Sequence, residues 1–315
     1  MAHVLLGAVA LGLLWSLTAM GVFITYRVLT IPDLTTEGSI VLGASVVAVA
    51  ITAGVNPYLA TFMAMIAGLS AGIVTGLLHT KLGIPALLSG ILNMVALYSI
   101  NLRVMGSANV TLLRMRTVFT VFIDMGFTRH IATIMKGSIF VVGAIVVINW
   151  FFRTEIGNAI RATGNNNAMA RAQGINTDTA LIMGLAIGNG LIGLSGGLIA
   201  QFMQFSDINM GIGSIVIALA SVIIGEVLIG KNHFLQSLVA NVFGAVTYRI
   251  IIALVLQAGM PATDLRLFTA LTVIIALCLP HIKTKYAETM KRIEKDKNLA
   301  AATVIIDDKG GKLDA

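Results

Sequence analysis

The sequence predicts an all-α fold, a polytopic bundle of transmembrane helices. Of its 315 residues, 57% are hydrophobic and only 11% are charged, and the mean hydropathy is +0.93. A soluble domain carries about 25% charged residues, so this chain has too few to cover a water-facing surface. Apolar stretches of about 20 residues, the length that crosses a bilayer as a helix, follow one another along the chain. Helices are the expected structure in the bilayer because they satisfy their own backbone hydrogen bonds where no water is present.

The apolar windows predict about nine membrane-spanning segments. They lie at residues 4–24, 38–54, 58–79, 84–105, 131–152, 179–201, 212–230, 235–257 and 264–282. The first is expected to be retained, because it lacks the basic region and cleavage site of a signal peptide. We expect the second span to be broken, because Pro32 removes a backbone donor and the polar cluster up to Gly38 resembles a helix start. Residues 1–282 would form the membrane domain, and 283–315 a charged cytoplasmic tail.

Basic residues predict the orientation of the chain in the membrane. With the connection 153–178 inside and the N-terminus outside, the cytoplasmic side holds Lys81, Arg153, Arg161, Arg171, Lys231, Lys283, Lys285, Lys291, Arg292, Lys295 and Lys297. The outer side keeps Arg114, Arg116, Arg129 and Lys136. The formal charge of +7 is therefore explained by orientation and by anionic lipid headgroups. Because no nucleic-acid-binding motif is present, we expect membrane lipid and no nucleic acid as a partner.

Two glycine-rich strings resemble nucleotide-binding motifs but occur in the wrong context. Gly225 to Asn232 departs from a phosphate-binding loop at one residue, ending in asparagine instead of serine or threonine, and Gly188 to Gly193 fits G-x-G-x-x-G. Both lie in apolar spans, whereas the true motifs join a strand to a helix. The histidines are scattered, and no nucleophile or metal-ligand spacing appears. We therefore predict that this chain binds no cofactor and is not an enzyme.

Glycines spaced four residues apart have a simpler explanation. They recur at Gly68, Gly72 and Gly76, and again at Gly193 and Gly197. Small residues at this spacing let membrane helices approach closely, so we interpret them as packing positions.

Polar and charged residues within or beside the spans are candidates for a solute path, because a charge in the bilayer costs about 2.5–3.5 kcal/mol on the insertion scale. The candidates are Asp33, Thr35, Thr36 and Glu37 near the break, and Asn93, Tyr98 and Asn101 on the fourth span. We expect the last three to form a polar stripe facing the bundle interior. Hydrogen bonding between helices is the alternative for the stripe. Pairing with a neighbouring helix or snorkelling is the alternative for the charges, including those of Arg103, Glu226 and Arg249.

The connection 153–178 has the pattern of a small helical element held between two spans. A helix-capable piece runs to Arg161, an asparagine-rich turn follows, and a second short helix stops at Gly174. Thr177 or Asp178 would cap the next span. Such an element can dock into a partner's cleft and move as a lever. The residues predicted to couple to a partner are Arg161, Asn165, Asn166, Ala168, Ala170, Arg171, Gln173 and Gly174.

This connection also carries a family resemblance. Thr154-Glu155-Ile156-Gly157-Asn158-Ala159-Ile160-Arg161-Ala162-Thr163, followed by Ala172-Gln173-Gly174-Ile175-Asn176-Thr177-Asp178, resembles the coupling-loop signature of branched-chain amino acid permeases of ABC importers. Gly7 to Gly21 and Ile31 to Gly43 look like that family's first span and broken second span. The resemblance extends over residues 4–282 and is greatest for permeases of tryptophan or tyrosine uptake. The stretch Pro32 to Gly38 departs from the branched-chain type, being more acidic.

The resemblance implies the membrane-spanning permease subunit of an ATP-driven importer of a small solute. The solute would be an amino acid, with an aromatic one favoured, and a nucleoside or vitamin-like molecule as the alternative. The implied partners are a second permease copy, giving a homodimer, two cytoplasmic ATPase subunits that bind ATP and magnesium, and an extracytoplasmic binding protein. The location would be the bacterial cytoplasmic (inner) membrane.

Two rival functions remain from the sequence. One is a secondary transporter that uses Asp33, Glu37 or Glu226 as a proton or sodium site, which would be expected to carry an inverted repeat. The other is an intramembrane enzyme, for which the sequence offers no catalytic pair.

Overall fold

The computed structural model describes residues 2–230 and 233–258 and the isolated positions 267, 270, 271 and 274. In this part of the chain the fold is helical apart from one pair of short strands. The helices are α1 (Ala2–Val22), α2 (Thr35–Thr52), α3 (Pro57–Thr80), α4 (Ala86–Met105), α5 (Thr120–Asp124), α6 (Arg129–Phe151), α7 (Glu155–Asn165), α8 (Asn167–Ala172), α9 (Thr177–Met203), α10 (Ser214–Ile229) and α11 (Phe234–Gln257). The strands are β1 (Asn109–Thr111) and β2 (Phe205–Asp207).

The structure confirms the predicted fold class. Within the described residues, seven helices are long and apolar enough to cross a membrane, and α10 is a shorter apolar helix. Together these eight helices match the first eight predicted segments. The ninth segment, 264–282, and the tail, 283–315, lie outside the described residues, apart from the few helical positions named above.

Helix α9 forms the centre of the bundle, and 83% of its most apolar 18-residue stretch is buried. It packs against α3, α2 and α1. Gly68, Gly72 and Gly76 lie directly against the α9 backbone, where a Cβ atom would meet Asn189, Leu185 and Ile182 respectively. The prediction that the spaced glycines serve helix packing is therefore confirmed. In contrast, only 28% of the most apolar stretch of α4, and the same share of that of α6, is buried, so both helices present exposed apolar faces.

The predicted break is present and lies between α1 and α2. Helix α1 continues as a π-helical turn, Phe23–Val28, and the chain then leaves helical geometry until α2 begins at Thr35. Thr30 has a φ of +58°, an uncommon backbone conformation that is strained for a β-branched residue. Leu29, Ile31 and Asp33 of this non-helical segment are buried, whereas Thr30 and Pro32 are exposed.

A second interruption, which the sequence analysis did not predict, precedes α10. After α9 the chain forms β2, which pairs antiparallel with β1, and then turns back to begin α10 at Ser214. Gly213, immediately before α10, has a φ of +79°, a conformation suited to glycine. With 16 residues α10 spans about 24 Å, less than the bilayer core of about 30 Å. Both α2 and α10 thus follow an interrupted segment.

Candidate functional site

Asp33 lies at the centre of a buried polar network where α2 begins. Its Oδ1 accepts a hydrogen bond from the Thr35 N–H at 2.9 Å, and its Oδ2 accepts one from Asn189 Nδ2 at 2.6 Å. Asn189, near the midpoint of α9, accepts in turn from Ser39 Oγ at 2.7 Å. The carboxylate is only 2% exposed. It therefore both accepts from the N–H of the first residue of α2 and joins that helix to the central helix.

The same network reaches α3 and α4. Thr35 Oγ1 lies 2.7 Å from Thr75 Oγ1, and Asn93 Nδ2 donates to Thr75 Oγ1 and to the Ala71 carbonyl, both at 2.8 Å. Thr36 Oγ1 donates to the Asp33 carbonyl at 3.0 Å. Four predicted path residues, Asp33, Thr35, Thr36 and Asn93, are thus brought together, and all are buried. Their hydrogen bonds join four helices, which supports the alternative of interhelical bonding.

Glu37, one turn after Asp33, occupies a different environment. Its Oε1 accepts a hydrogen bond from the N–H of Gly213 at 2.9 Å, so it caps the start of α10. In the described residues, Oε1 is the only Glu37 side-chain atom with a hydrogen-bond partner. The side chain is half-buried and lines a cavity of about 310 Å³ between α2, α4 and the segment before α10. The two interrupted segments therefore meet at this carboxylate.

Tyr98, Ser99 and Asn101 complete the polar lining of the cavity. Asn101 is 1% exposed, and its Nδ2 donates to the Gly38 carbonyl at 3.2 Å. Its buried Oδ1 has no hydrogen-bond partner among the described residues, which leaves an acceptor at the cavity wall. The remaining wall is largely apolar and includes Met94 and Val41.

The predicted stripe on the fourth span is wrong at one position. Asn93 and Asn101 are buried, but Tyr98 is 51% exposed. An α-helix advances about 100° per residue, so Tyr98 lies about 140° around α4 from Asn93. Tyr98 stands at the rim of the cavity, beside the exposed face of α4, instead of pointing into the bundle.

The remaining charges in spans differ in their partners. Glu226 near the end of α10 forms an ion pair with Arg27 on the π-helical turn. The guanidinium of Arg249 lies 4.4 Å from the ring centroid of Trp15, a cation–π contact. Arg103 is exposed. For Glu226 and Arg249, pairing with a neighbouring helix is thus observed.

The connection 153–178 consists of α7, α8 and the start of α9. Thr154 caps α7, and Asn166 caps α8 by accepting from the Met169 N–H at 3.0 Å. Gly174 ends this region with a φ of +84°. The predicted caps of α9, Thr177 and Asp178, are wrong, because Asn176 accepts from the Thr179 N–H at 3.1 Å. The cap lies one residue earlier because the helix itself begins at Thr177.

The predicted coupling residues divide into exposed and internally bound groups. Asn165, Asn166, Ala168, Gln173 and Gly174 are exposed. Ala170 is only 2% exposed and packs within the chain, so its small side chain is required by the fold itself.

The two predicted coupling arginines both have partners within the chain. Arg171 donates to Thr177 Oγ1 at 2.8 Å and to Asp178 Oδ1 at 3.1 Å, which ties α8 to the start of α9. The guanidinium of Arg161 lies 5.4 Å from the ring centroid of Phe234 on α11. Neither side chain is a freely projecting contact, although both remain exposed.

Helix α7 touches the break directly. Gly164 lies so close to the carbonyl of Val28 that a Cβ atom would overlap it, and Thr30 Oγ1 donates to the Gly164 carbonyl at 3.2 Å. Only Ile31 and Pro32 separate Thr30 from Asp33. One hydrogen bond and a short stretch of chain therefore join α7 to the buried network.

Sequence reasoning missed several residues of these sites. Asn189 was passed over because it lies inside a string resembling a nucleotide motif, yet an asparagine between two glycines in an apolar helix is a signal for a buried polar contact. Thr75 and Gly164 gave no signal, because their roles depend on approaches between distant segments. Gly213 could have been identified only if the second interruption had been recognised.

Comparison with known proteins gives consistent matches over most of the chain. Residues 4–278 match the model of a family described as the permease component of the branched-chain amino acid transport system. A tyrosine transport system permease protein of Clostridioides difficile is 41% identical over 281 residues, covering 89% of this chain and 92% of that protein. An uncharacterized protein of Rickettsia prowazekii is 30% identical, covering 87% and 97% respectively.

A more distant relative is a probable branched-chain amino acid transport permease of Methanocaldococcus jannaschii. It is 24% identical, with 76% of this chain and 77% of that protein covered. No solved structure matches the chain significantly.

Proposed function

The chain belongs to the family of permease components of branched-chain amino acid transport systems, and from that premise we propose that it is the membrane-spanning subunit of an ATP-driven amino acid importer. As a family member with seven long apolar helices among its described residues, it is a multi-pass protein of the cytoplasmic membrane and a transport component, not a catalytic enzyme. In our proposal ATP and magnesium are bound by two separate cytoplasmic ATPase subunits. A second permease copy and an extracytoplasmic binding protein complete the transporter.

The observation that carries the proposal is the arrangement of the connection 153–178. Its short helix α8 is capped at its start by Asn166 and tied to α9 by Arg171, so its geometry is fixed without a partner. Meanwhile Ala168 and the neighbouring Met169, which is 58% exposed, project from it. A rigid element with an uncovered small-residue position suits docking into a cleft of an ATPase subunit.

We propose that α7 transmits movement of α8 to the membrane. The close approach of Gly164 to Val28 means that α7 cannot shift towards the break without displacing it. The strained backbone at Thr30 marks the place where the chain could rearrange. Displacement there would reach Asp33, the start of α2 and the cavity beside Glu37.

The solute that fits the cavity best is an amino acid with an aromatic side chain. The free oxygen of Glu37 suits an ammonium group, and the unpaired Oδ1 of Asn101 is an acceptor for an N–H or O–H group. Tyr98 and Met94 offer an aromatic ring and a thioether against which another ring can pack. The named function of the relative from Clostridioides difficile, tyrosine transport, supports the same choice.

The test compares the same substitution at two exposed alanines. Ala168→Glu places a charge on α8, and Ala53→Glu places one just after α2, on the predicted outer side. We expect Ala168→Glu to lower solute-stimulated ATP hydrolysis and co-purification of the ATPase, while docking of the binding protein persists. Ala53→Glu should leave hydrolysis and co-purification unchanged.

Two outcomes would contradict the proposal. Full hydrolysis and uptake with Ala168→Glu would remove α8 as the coupling element. Uptake by the purified chain alone, driven by a proton or sodium gradient and abolished by Glu37→Gln, would favour the secondary transporter.

A further inference from the structure

A cavity of about 630 Å³ lies between the end of α6 and the start of α11, apart from the one beside Glu37. Arg153, Arg161 and His233 line it, together with the amides of Asn149 and Gln236. No carboxylate occurs among its described lining residues. The cavity is therefore a concentration of cationic and neutral polar groups, which favours an anionic ligand.

The two arginines of this cavity are not neutralised by the part of the chain that the structure describes. The salt bridges there join Arg27 to Glu226, and Asp178 to both Lys81 and Arg171. Glu226 lies one turn before the lining residue Ile229, but its carboxylate is taken by Arg27. An anion entering the cavity would thus meet two arginines without a competing acid at its wall.

The surroundings of the cavity identify which anion fits. Trp150 on α6 is 68% exposed, and Leu235 on α11 is 42% exposed, so apolar faces flank the opening. Asn149 and Val239 lie within predicted spans, which places the inner end of the cavity in the membrane. A basic pocket between membrane helices on the cytoplasmic side is typical of a phospholipid headgroup site.

We propose that this cavity binds the phosphate headgroup of an anionic phospholipid from the cytoplasmic leaflet. Arg153 and Arg161 hold the phosphate by charge-assisted hydrogen bonds. The acyl chains run along the exposed faces near Trp150 and Leu235. Because Arg161 also packs on Phe234, the bound lipid joins α6, α7 and α11 at their cytoplasmic ends. The site does not depend on the solute or on the ATPase.

The test uses the full chain in detergent and titrates phosphatidylglycerol or phosphatidylcholine, with retained lipid counted by native mass spectrometry. We expect the wild type to prefer phosphatidylglycerol. Arg153→Gln and Arg161→Gln should each weaken that preference about fivefold. Arg129→Gln, at the opposite end of α6, is the matched control and should have no effect.

A second variant avoids removing either arginine. Asn149→Asp introduces a carboxylate of nearly the same shape into the cavity, so it should also weaken phosphatidylglycerol binding while the protein remains folded. Equal preference for the two lipids in the wild type, or equal losses with Arg129→Gln, would overturn the proposal.

Two further results would assign the cavity to another ligand. If millimolar inorganic phosphate displaces phosphatidylglycerol as effectively as added lipid does, the site is for a soluble anion and the lipid proposal is wrong. If the arginine variants lose the ATPase while retaining lipid at wild-type levels, the cavity is a protein contact and the proposal is again wrong.

Discussion

Asp33 and Glu37 are four residues apart at the start of α2, and their surroundings differ. Both oxygens of Asp33 accept hydrogen bonds, from Thr35 and Asn189, and the residue is 2% exposed. Glu37 has one hydrogen bond, from Gly213, and lies on the wall of a cavity. Both oxygens of the first carboxylate are occupied by its own chain, whereas one oxygen of the second has no hydrogen-bond partner among the described residues.

This contrast distinguishes polar side chains that hold the fold together from those that we expect to contact the solute. A buried polar group without a partner costs about 1–3 kcal/mol, so the fold must satisfy it or use it. The Asp33 network is satisfied across α2, α3, α4 and α9 and holds the interrupted segment in place. In the part of the chain that the structure describes, one oxygen of Glu37 and the Oδ1 of Asn101 have no hydrogen-bond partner, and these are the groups we expect a solute to contact.

The largest effect is expected from Asp33→Leu. It leaves the Thr35 N–H and one N–H of the Asn189 amide without acceptors, and hydrogen bonds to charged groups contribute about 1.5–3 kcal/mol each. We therefore expect the free energy of unfolding to fall by about 3–5 kcal/mol, measured by SDS-induced unfolding of the purified chain. Glu37→Leu removes a single hydrogen bond and should cost less than half as much. The reverse order would break the distinction between the two carboxylates.

A smaller effect is expected from Asp33→Asn. Both oxygens of Asp33 accept hydrogen bonds, whereas asparagine replaces one of them with an N–H₂ group that faces a donor. The loss should be about 1–3 kcal/mol. Adding Asn189→Asp restores a donor and acceptor pair and should recover part of that loss in the same unfolding measurement. Additive losses in the double variant would show that the two side chains do not form the bond described here.

Glu37→Gln should change function while leaving stability nearly intact. The glutamine Oε1 can still accept from Gly213, so the free energy of unfolding should change by less than about 1 kcal/mol. In our proposal the Glu37 carboxylate binds the ammonium group of tyrosine, so losing the charge should raise the KM for tyrosine uptake about tenfold in the reconstituted transporter. An unchanged KM with a large loss of stability would place Glu37 among the structural groups.

The smallest effect concerns the third carboxylate, Glu226, and its partner Arg27. The Arg27 side chain is 39% exposed, so solvent screens the pair, and exposed pairs contribute about 1 kcal/mol or less. A double-mutant cycle with Glu226→Gln and Arg27→Gln should give a coupling energy in that range. A coupling well above it would mark this pair as a major tie between the first span and α10.

Local chemistry made the main features of the fold predictable. Length and hydropathy located eight helices, Pro32 with the polar cluster behind it located the break, and Gly174 marked the end of α8. The second interruption was missed because the polar stretch from Gln204 to Gly213 resembles an ordinary connection between two spans. The interruption is evident from the hydrogen bond between Gly213 and Glu37, which are 176 residues apart in sequence.

The candidate site was predictable as a set of residues but not as an arrangement. The seven predicted path residues include both the satisfied network and the cavity wall, and sequence alone could not divide them. The division depends on Asn189 and Thr75, which come from other helices. Likewise the exposure of Ala168 and the burial of Ala170 depend on how α8 lies against its neighbours. The coupling role of both remains a prediction.

The most direct measurement is the protection of a cysteine at Glu37 by the solute. Glu37→Cys, in a Cys278→Ser background, would be labelled with a maleimide in the reconstituted transporter, with Ser39→Cys as the buried control. We predict that Glu37→Cys reacts, that tyrosine delivered by the binding protein slows the reaction, and that Ser39→Cys does not react. Labelling of Glu37→Cys at one rate with and without transported solute, under conditions where uptake is measured, would contradict the assignment of this cavity to the solute path.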